Sequence, residues 1–135
     1  ALSSAASDVY KRQGEDLPDA NVIYTGWNNG DGYQAMHQIL AREIAFDGVL
    51  CGSDRIAAGV ITALNEAGLS VPADVSVVGF DDHEIATRCV PALTTVRQPL
   101  REEGHMAANI ALDMIKGAEP TTSVMHMQLI QRDSL

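Results

Sequence analysis

Two stretches decide the fold of this chain: residues 46–54, which read FDGVLCGSD, and residues 75–82, which read VSVVGFDD. Each is a short apolar run bounded by turn residues, the pattern of a buried strand. Each run ends in a hydroxyl or acidic side chain, and a helical pattern over residues 55–67 lies between them. A strand, a helix and a second strand in this order predict an α/β fold with a right-handed, mostly parallel sheet.

The flanking sequence extends the same alternation. Three further strands are predicted, at residues 21–25, 93–96 and 125–130. Apolar spacing predicts two more helices, one with a face from Tyr33 to Leu40 and a long one over residues 101–116. Since the strand at residues 75–80 is apolar on both faces, we expect helices to cover the sheet on both sides, in three layers.

The composition excludes some classes of function. The formal net charge is −9 at pH 7, whereas a protein that grips nucleic acid needs a basic face to neutralise phosphates. No apolar run approaches the roughly 20 residues of a membrane span. The two cysteines, Cys51 and Cys89, are typical of reduced thiols, although the sequence alone leaves a disulfide between them open. We therefore expect a cytoplasmic protein that does not bind a membrane.

The strand ends carry the candidate binding residues. Ligands of open parallel sheets bind outside the carboxyl ends of the strands, and Ser53 and Asp81 stand at those ends. A carboxylate there suits charge-assisted hydrogen bonds to adjacent sugar hydroxyls. Trp27, the only tryptophan, follows a predicted strand. It either stacks on the apolar face of a sugar or base, or anchors its loop on the core.

The neighbouring residues have plainer explanations. Asp54 and Asp82 each stand where a helix is predicted to begin. Either Ser53 or Asp54 can cap the first of these helices, and capping alone is the plainer interpretation of Asp54. We expect Asp82 to lie in a solvated turn and to cap the second helix. Residues 81–84 hold four potential metal ligands, but consecutive side chains diverge and no second cluster has zinc or calcium spacing. Residues 30–35 match G-x-G-x-x-A, which we interpret as the glycine-rich start of a helix. We predict no metal site, no cofactor and no enzyme.

The order and spacing of residues 51–99 closely resemble the effector-binding domain of the LacI/GalR family of bacterial transcription regulators. The resemblance implies the C-terminal subdomain of a periplasmic-binding-protein-like type I fold. It implies effector contacts for Ser53 and Asp81, an aromatic ring over the effector at Trp27, and a saccharide rather than a purine as the effector. It also implies a homodimer whose interface includes the helix from Arg55 and residues 84–89.

The resemblance also identifies parts of such a regulator that this sequence does not show. They are the helix-turn-helix headpiece, the first subdomain and an effector-binding arginine. We therefore expect operator DNA to be bound only through a headpiece absent from this chain. Two hypotheses follow: a fragment of a sugar-responsive transcriptional repressor, or a fragment of a periplasmic sugar-binding protein of a transport system.

The first thirteen residues are expected to be foreign. Residues 8–13, DVYKRQ, back-translate to a string that resembles the transposon-end adapter of sequencing libraries, and we exclude residues 1–13 from fold reasoning. The alternative is a native helix with Val9 and Tyr10 on one face. The remainder is expected to comprise three parts: an effector-binding subdomain at residues 14–98, a helix at residues 99–117 that packs on the missing N-terminal subdomain, and a terminal strand segment at residues 118–135.

Overall fold

The computed structural model describes residues 21–42 and 44–135 of the chain. The segment at residues 1–13, predicted to be foreign, lies outside these described residues. Helices and strands alternate along the described part in this order: α1 (Asn29–Leu40), β1 (Gly48–Leu50), α2 (Asp54–Glu66), β2 (Ser76–Phe80), α3 (Ile85–Arg88), β3 (Thr94–Arg97), α4 (Leu100–Ile115) and β4 (Gln128–Ile130).

The four strands form one sheet in the order β1-β2-β3-β4. β1 and β2 pair in parallel, with Val49 opposite Val77, and β3 continues the parallel pairing with Thr94 opposite Val78. β4 runs antiparallel beside β3. The mostly parallel α/β sheet predicted from the sequence is therefore confirmed.

Among the described residues, α2 contributes more side chains to the buried core than any other helix or strand. It begins after Ser53 and ends before Gly68, whose φ of +79° suits the residue that follows a helix. Its buried apolar side chains point to a helix enclosed on several sides: Ile56, Ala57, Val60, Ile61, Ala63 and Leu64. Met36 of α1, Val77 of β2 and Leu93 belong to the same buried cluster.

α1 and α2 touch backbone to backbone at two glycines. A Cβ at Gly32 would overlap the carbonyl oxygen of Ile56. A Cβ at Gly59 would overlap the carbonyl oxygen of Asn29 and stand 2.7 Å from the amide nitrogen of Tyr33. Only glycine permits so close an approach. Because Gly32 and Ile56 lie in the first turns of their helices, those first turns lie against each other.

The structure departs from the sequence prediction before and at the start of α1. Residues 21–25, predicted as a strand, make no ladder with the sheet, although Ile23 is buried; an extended run becomes a strand only where a neighbour pairs with it. α1 begins at Asn29 rather than near Tyr33. Asn28 and Asp31 explain the earlier start, because each side chain accepts the backbone N–H of the other at 3.0 Å in a capping box.

The segment after β4 hydrogen-bonds to the two middle strands of the sheet, β2 and β3. β4 is shorter than predicted, since the ladder covers only Gln128–Ile130. The buried Ser134 hydroxyl donates to the carbonyl oxygen of Val77 at 2.6 Å and accepts the Thr94 N–H at 2.8 Å. The carbonyl oxygen of Ser134 accepts the Val77 N–H at 2.8 Å. Ser134 thus pairs with the backbone of Val77 in β2 and of Thr94 at the start of β3.

α4 differs from the other long helices because none of its residues is buried. Leu100, Leu112, Met114 and Ile115 are 47–81% exposed. The described residues therefore leave the apolar side of this helix open. Within the same residues, no helix combines the length and the apolar character that a membrane crossing requires.

Candidate functional site

Three loops at the carboxyl ends of the parallel strands form the candidate site. Ser53 lies in the loop after β1, Asp81 follows β2, and Gln98 follows β3. Since parallel neighbours end at the same edge, these residues share one end of the sheet. Asp81 and Gln98 are in direct contact, because the Gln98 Nε2 donates to Oδ1 of Asp81 at 2.5 Å.

The backbone of Asp81 is held in a rare conformation. Its φ is +102°, and Asp82 follows with a φ of +52°. Non-glycine residues with positive φ cost about 1–3 kcal/mol each and concentrate at functional sites. The Asp81 N–H is fixed on the Val96 carbonyl oxygen at 2.9 Å. Gln98 occupies one carboxylate oxygen of Asp81, and no side chain of the described residues hydrogen-bonds to Oδ2.

Ser53 is the N-cap of α2. Its hydroxyl accepts the Ile56 N–H at 3.3 Å, and its φ of −158° is the extended backbone of a helix cap. The residue is buried. A hydroxyl that accepts one hydrogen bond still has a hydrogen to donate. Capping and ligand contact are therefore compatible for Ser53, and the ligand contact stays a prediction.

Asp54 is not the helix cap that the sequence predicts. It is 1% exposed; its Oδ2 accepts the His83 N–H at 2.6 Å, and its Oδ1 accepts the Thr95 hydroxyl at 2.5 Å. Gly79 leaves room for this carboxylate, because a Cβ there would overlap Oδ1. Burial raises the pKa of Asp54, although the hydrogen bonds from Thr95 and His83 oppose that shift.

Asp82 is not a solvated cap either. Its side chain is 10% exposed, and it accepts a hydrogen bond from Nε of Arg97 and one from Nη2 of Arg132, both at 2.6 Å. α3 begins after Glu84 without a side-chain cap. Burial acts to raise the pKa of Asp82, but the hydrogen bonds and charges of Arg132 and Arg97 outweigh it and lower that pKa. Asp82 therefore connects the loop after β2 to the guanidinium groups of Arg97 and Arg132.

Trp27 lies in the loop before α1 and is 68% exposed. This exposure contradicts the alternative in which the ring anchors its loop on the core. Because the first turns of α1 and α2 lie against each other, Trp27 and Ser53 precede the paired ends of these two helices. In the described part of the chain, no hydrogen bond joins Trp27 or Ser53 to Asp81. The same part holds no group of three His, Cys, Asp or Glu side chains placed as metal ligands.

Comparison with known proteins decides the family. The sequence model of the periplasmic binding protein-like domain matches residues 2–135. The HTH-type transcriptional repressor PurR of Serratia proteamaculans is 39% identical over 122 residues, which is 89% of this chain and 36% of that protein. The chain belongs to the periplasmic-binding-protein-like domains of the LacI/GalR family. This family membership confirms the resemblance stated from residues 51–99.

Solved structures agree with this LacI/GalR assignment. The complex of the transcriptional regulator CelR with cellobiose has a TM-score of 0.85 and 30% identity, over 96% of this chain and 40% of that one. The lac repressor dimer bound to operator and the anti-inducer ONPF has a TM-score of 0.82 and 30% identity, over 96% of this chain and 39% of that one. The LacI/GalR domain thus spans between 36% and 40% of the length of these relatives.

Sequence reasoning missed several residues around the site of this LacI/GalR domain, among them Gly79, Thr95 and Arg132. Gly79 offered a signal, because a glycine inside a strand pattern marks the close approach of another group. Thr95 and Arg132 offered none, since their acidic partners lie 41 and 50 residues away in the sequence. Such pairings follow from the strand order rather than from any local pattern.

Proposed function

We propose that this LacI/GalR domain binds a small saccharide effector at the carboxyl ends of β1, β2 and β3, as part of a transcriptional repressor. The observation that carries the proposal is the Asp81 carboxylate. Its backbone is held at positive φ, Gln98 fixes one oxygen, and no side chain of the described residues occupies the other. Asp81 is thus a half-buried carboxylate on a strained backbone, and within the described residues only one of its oxygens accepts a side-chain hydrogen bond.

The chemistry of three side chains suits a sugar. Oδ2 of Asp81 accepts a hydrogen bond from a sugar hydroxyl, the Ser53 hydroxyl donates to a sugar oxygen, and the Trp27 ring covers the apolar face of the sugar. A compound that lacks the matching hydroxyl leaves Oδ2 of Asp81 without a hydrogen-bond donor, which discriminates against that compound. The cellobiose complex of CelR, a structural neighbour of this domain, supports a saccharide as the effector.

We assign two macromolecular partners on the same basis. The lac repressor, a neighbour in structure, is a dimer bound to operator, and we propose a homodimer here, with α2 and residues 84–89 at the interface. The net charge of −9 is unsuited to phosphate contacts. We therefore assign operator binding to a separate headpiece, in a cytoplasmic protein that catalyses no reaction.

Titration with cellobiose, followed by the fluorescence of Trp27, tests the site. Because Trp27 is the only tryptophan, its emission reports a sugar that covers the ring. We expect saturable binding, and we expect Asp81→Asn to weaken it about 10- to 100-fold, the usual worth of a hydrogen bond to a charged group. Asp133→Asn, which changes an exposed carboxylate, is the matched control. Equal affinity of the Asp81→Asn variant would contradict the assignment of this carboxylate.

A transport receptor is the second candidate, because the matching family model describes a periplasmic binding protein-like domain. The gene sequence upstream of Gly14 separates the two functions. A helix-turn-helix supports the repressor. A secretory signal supports the sugar-binding protein of a transport system, and in that case the proposed role of Asp81 is retained while the operator and the effector linkage are lost.

A further inference from the structure

We infer that Asp54 is a positioning residue that holds the loop after β2, through Thr95 and the backbone of His83, so that the Asp81 carboxylate faces the ligand. The inference rests on the proposed function, since that function gives Asp81 its ligand. Asp54 itself does not need to touch the ligand. It acts from inside the protein, on the conformation of the residues that do.

Three consecutive backbone N–H groups, at residues 81–83, are tied down one after another. The first donates to the Val96 carbonyl oxygen at 2.9 Å, the second to the Thr95 hydroxyl at 3.4 Å, and the third to Oδ2 of Asp54 at 2.6 Å. The Thr95 hydroxyl in turn donates to Oδ1 of Asp54 at 2.5 Å. One carboxylate therefore supports two of the three bonds, one directly and one through the hydroxyl.

The loop requires this support because of its backbone. Asp81 and Asp82 have φ values of +102° and +52°, and such conformations persist only where surrounding bonds impose them. An ionised carboxylate only accepts hydrogen bonds and offers two oxygens, so Asp54 can accept from His83 and Thr95 at once. A side-chain amide of the same shape has only one acceptor atom, so its N–H₂ group faces one of these two partners instead of accepting a hydrogen bond from it.

The surroundings of Asp54 fit this role better than a capping role. A capping carboxylate is usually exposed at the helix start, whereas Asp54 is 1% exposed. The strand opposite carries Gly79, where a Cβ would overlap Oδ1 of Asp54 and stand 2.8 Å from the Leu93 side chain. Asp54 is also the first residue of α2, the most deeply packed helix. The carboxylate thus connects a rigid helix to a strained loop.

Thr95→Val tests the inference, with Thr95→Ser as the matched control. Valine has the shape of threonine without the hydroxyl, so the Asp82 N–H loses its acceptor and Asp54 loses one donor; serine keeps the hydroxyl. Native-state hydrogen exchange at Asp82 and His83 is the first measurement, and the affinity for cellobiose is the second. The Val77 amide, which donates to Ser134, reports whether the sheet remains folded.

We expect Thr95→Val to speed exchange at Asp82 and His83 and to weaken cellobiose binding, each by about tenfold or more, as the loss of a hydrogen bond to a charged network predicts. Exchange at Val77 should change by less than about threefold, and Thr95→Ser should retain both properties. Asp54→Asn, which keeps the shape but not both acceptors, should reproduce the effect of Thr95→Val.

Each other outcome has a defined meaning. Unchanged exchange at Asp82 and His83 in both Thr95→Val and Asp54→Asn would overturn the inference. Faster exchange with undiminished cellobiose affinity would overturn it as well, because the loop would then be held for stability alone. Faster exchange in a protein that never binds cellobiose, altered or not, would overturn the saccharide proposal while supporting the role of Asp54 in holding the loop.

Discussion

α2 and α4 are helices of similar length in opposite surroundings. α2 has 13 residues and buries eight of them, whereas α4 has 16 residues and buries none. Both carry apolar residues at helical spacing, and both end before a glycine with positive φ, Gly68 and Gly117. Periodicity therefore identifies the apolar face of a helix but not the surface that covers it. That α4 packs on an N-terminal subdomain, as predicted from the resemblance, stays a prediction.

The largest difference in stability between the two helices is expected when one glycine of each is replaced by alanine. We expect Gly59→Ala to lower the free energy of unfolding by about 3 kcal/mol or more, because its methyl group would overlap the backbone of α1. Gly104→Ala, in α4, meets no atom within 4 Å and should raise that free energy by about 0.5–1 kcal/mol through helix propensity. Urea unfolding followed by circular dichroism measures both. Similar losses in the two variants would show that the helices do not differ as described.

A pair of leucines gives the next largest effect. Leu64 of α2 is fully buried, whereas Leu112 of α4 is 53% exposed. We expect Leu64→Ala to cost about 2–5 kcal/mol of unfolding free energy, from lost burial and the cavity left behind. Leu112→Ala should change it by less than about 0.5 kcal/mol. A large loss for Leu112→Ala in the same urea titrations would mean that a further surface covers α4.

The starts of the two helices predict a smaller effect. Ser53 caps α2 through its hydroxyl, whereas Pro99, which precedes α4, makes no side-chain cap. We expect Ser53→Ala to lower the unfolding free energy by about 0.5–2 kcal/mol. Ser53→Thr keeps the hydroxyl and should cost only a few tenths of a kcal/mol, by order of magnitude. Equal stability of Ser53→Ala and the unaltered protein in thermal unfolding would rule out a stabilising cap.

The smallest expected effect is on the pH dependence of the unfolding free energy. Asp54, the first residue of α2, contributes to it. Because burial raises the pKa of Asp54 in the folded state, its contribution to stability is fully present below the ordinary carboxyl pKa and is lost as pH rises through the raised value. The contribution of Asp82 to stability changes with pH in the opposite direction. Because its pKa is lowered in the folded state, this contribution is lost as pH falls through the lowered value. Asp54→Asn should therefore remove a decline of stability with rising pH, whereas Asp82→Asn should remove a decline with falling pH. Unfolding midpoints across the acidic range measure both slopes, and identical slopes in all three proteins would contradict this account.

Elements with a complete local signal could be predicted from the sequence. α2 has regular apolar spacing, a hydroxyl before it and Gly68 after it, and β2 is an apolar run between turns. The prediction missed the start of α1, although the sequence carries a signal for it: Asn28 and Asp31 stand three residues apart, as a capping box requires. The prediction of a strand at residues 21–25 is wrong. Strand formation depends on a pairing partner that is distant in sequence, and a local pattern does not reveal that partner.

The candidate site was predictable only in part. Ser53 and Asp81 could be placed because residues after parallel strands share one edge of the sheet, and their contacts with an effector stay predictions. The roles of Asp54 and Asp82 were wrong because their partners are remote: His83 lies 29 residues from Asp54, and Arg132 lies 50 residues from Asp82. A carboxylate before a helix is locally indistinguishable from a cap until the tertiary fold supplies other donors.

The bond between Ser134 and Val77 has a consequence for how the chain is made. The two residues are 57 positions apart, and until Ser134 emerges, the N–H and carbonyl groups of Val77 and the N–H of Thr94 lack these partners. At a synthesis rate of about 5–20 residues per second, β2 waits about 3–11 seconds on the ribosome with its centre unfinished. Contacts of such separation in sequence slow folding. During that interval these backbone groups of Val77 and Thr94 lack their protein partners, which gives chaperone binding or mispairing time to compete with folding.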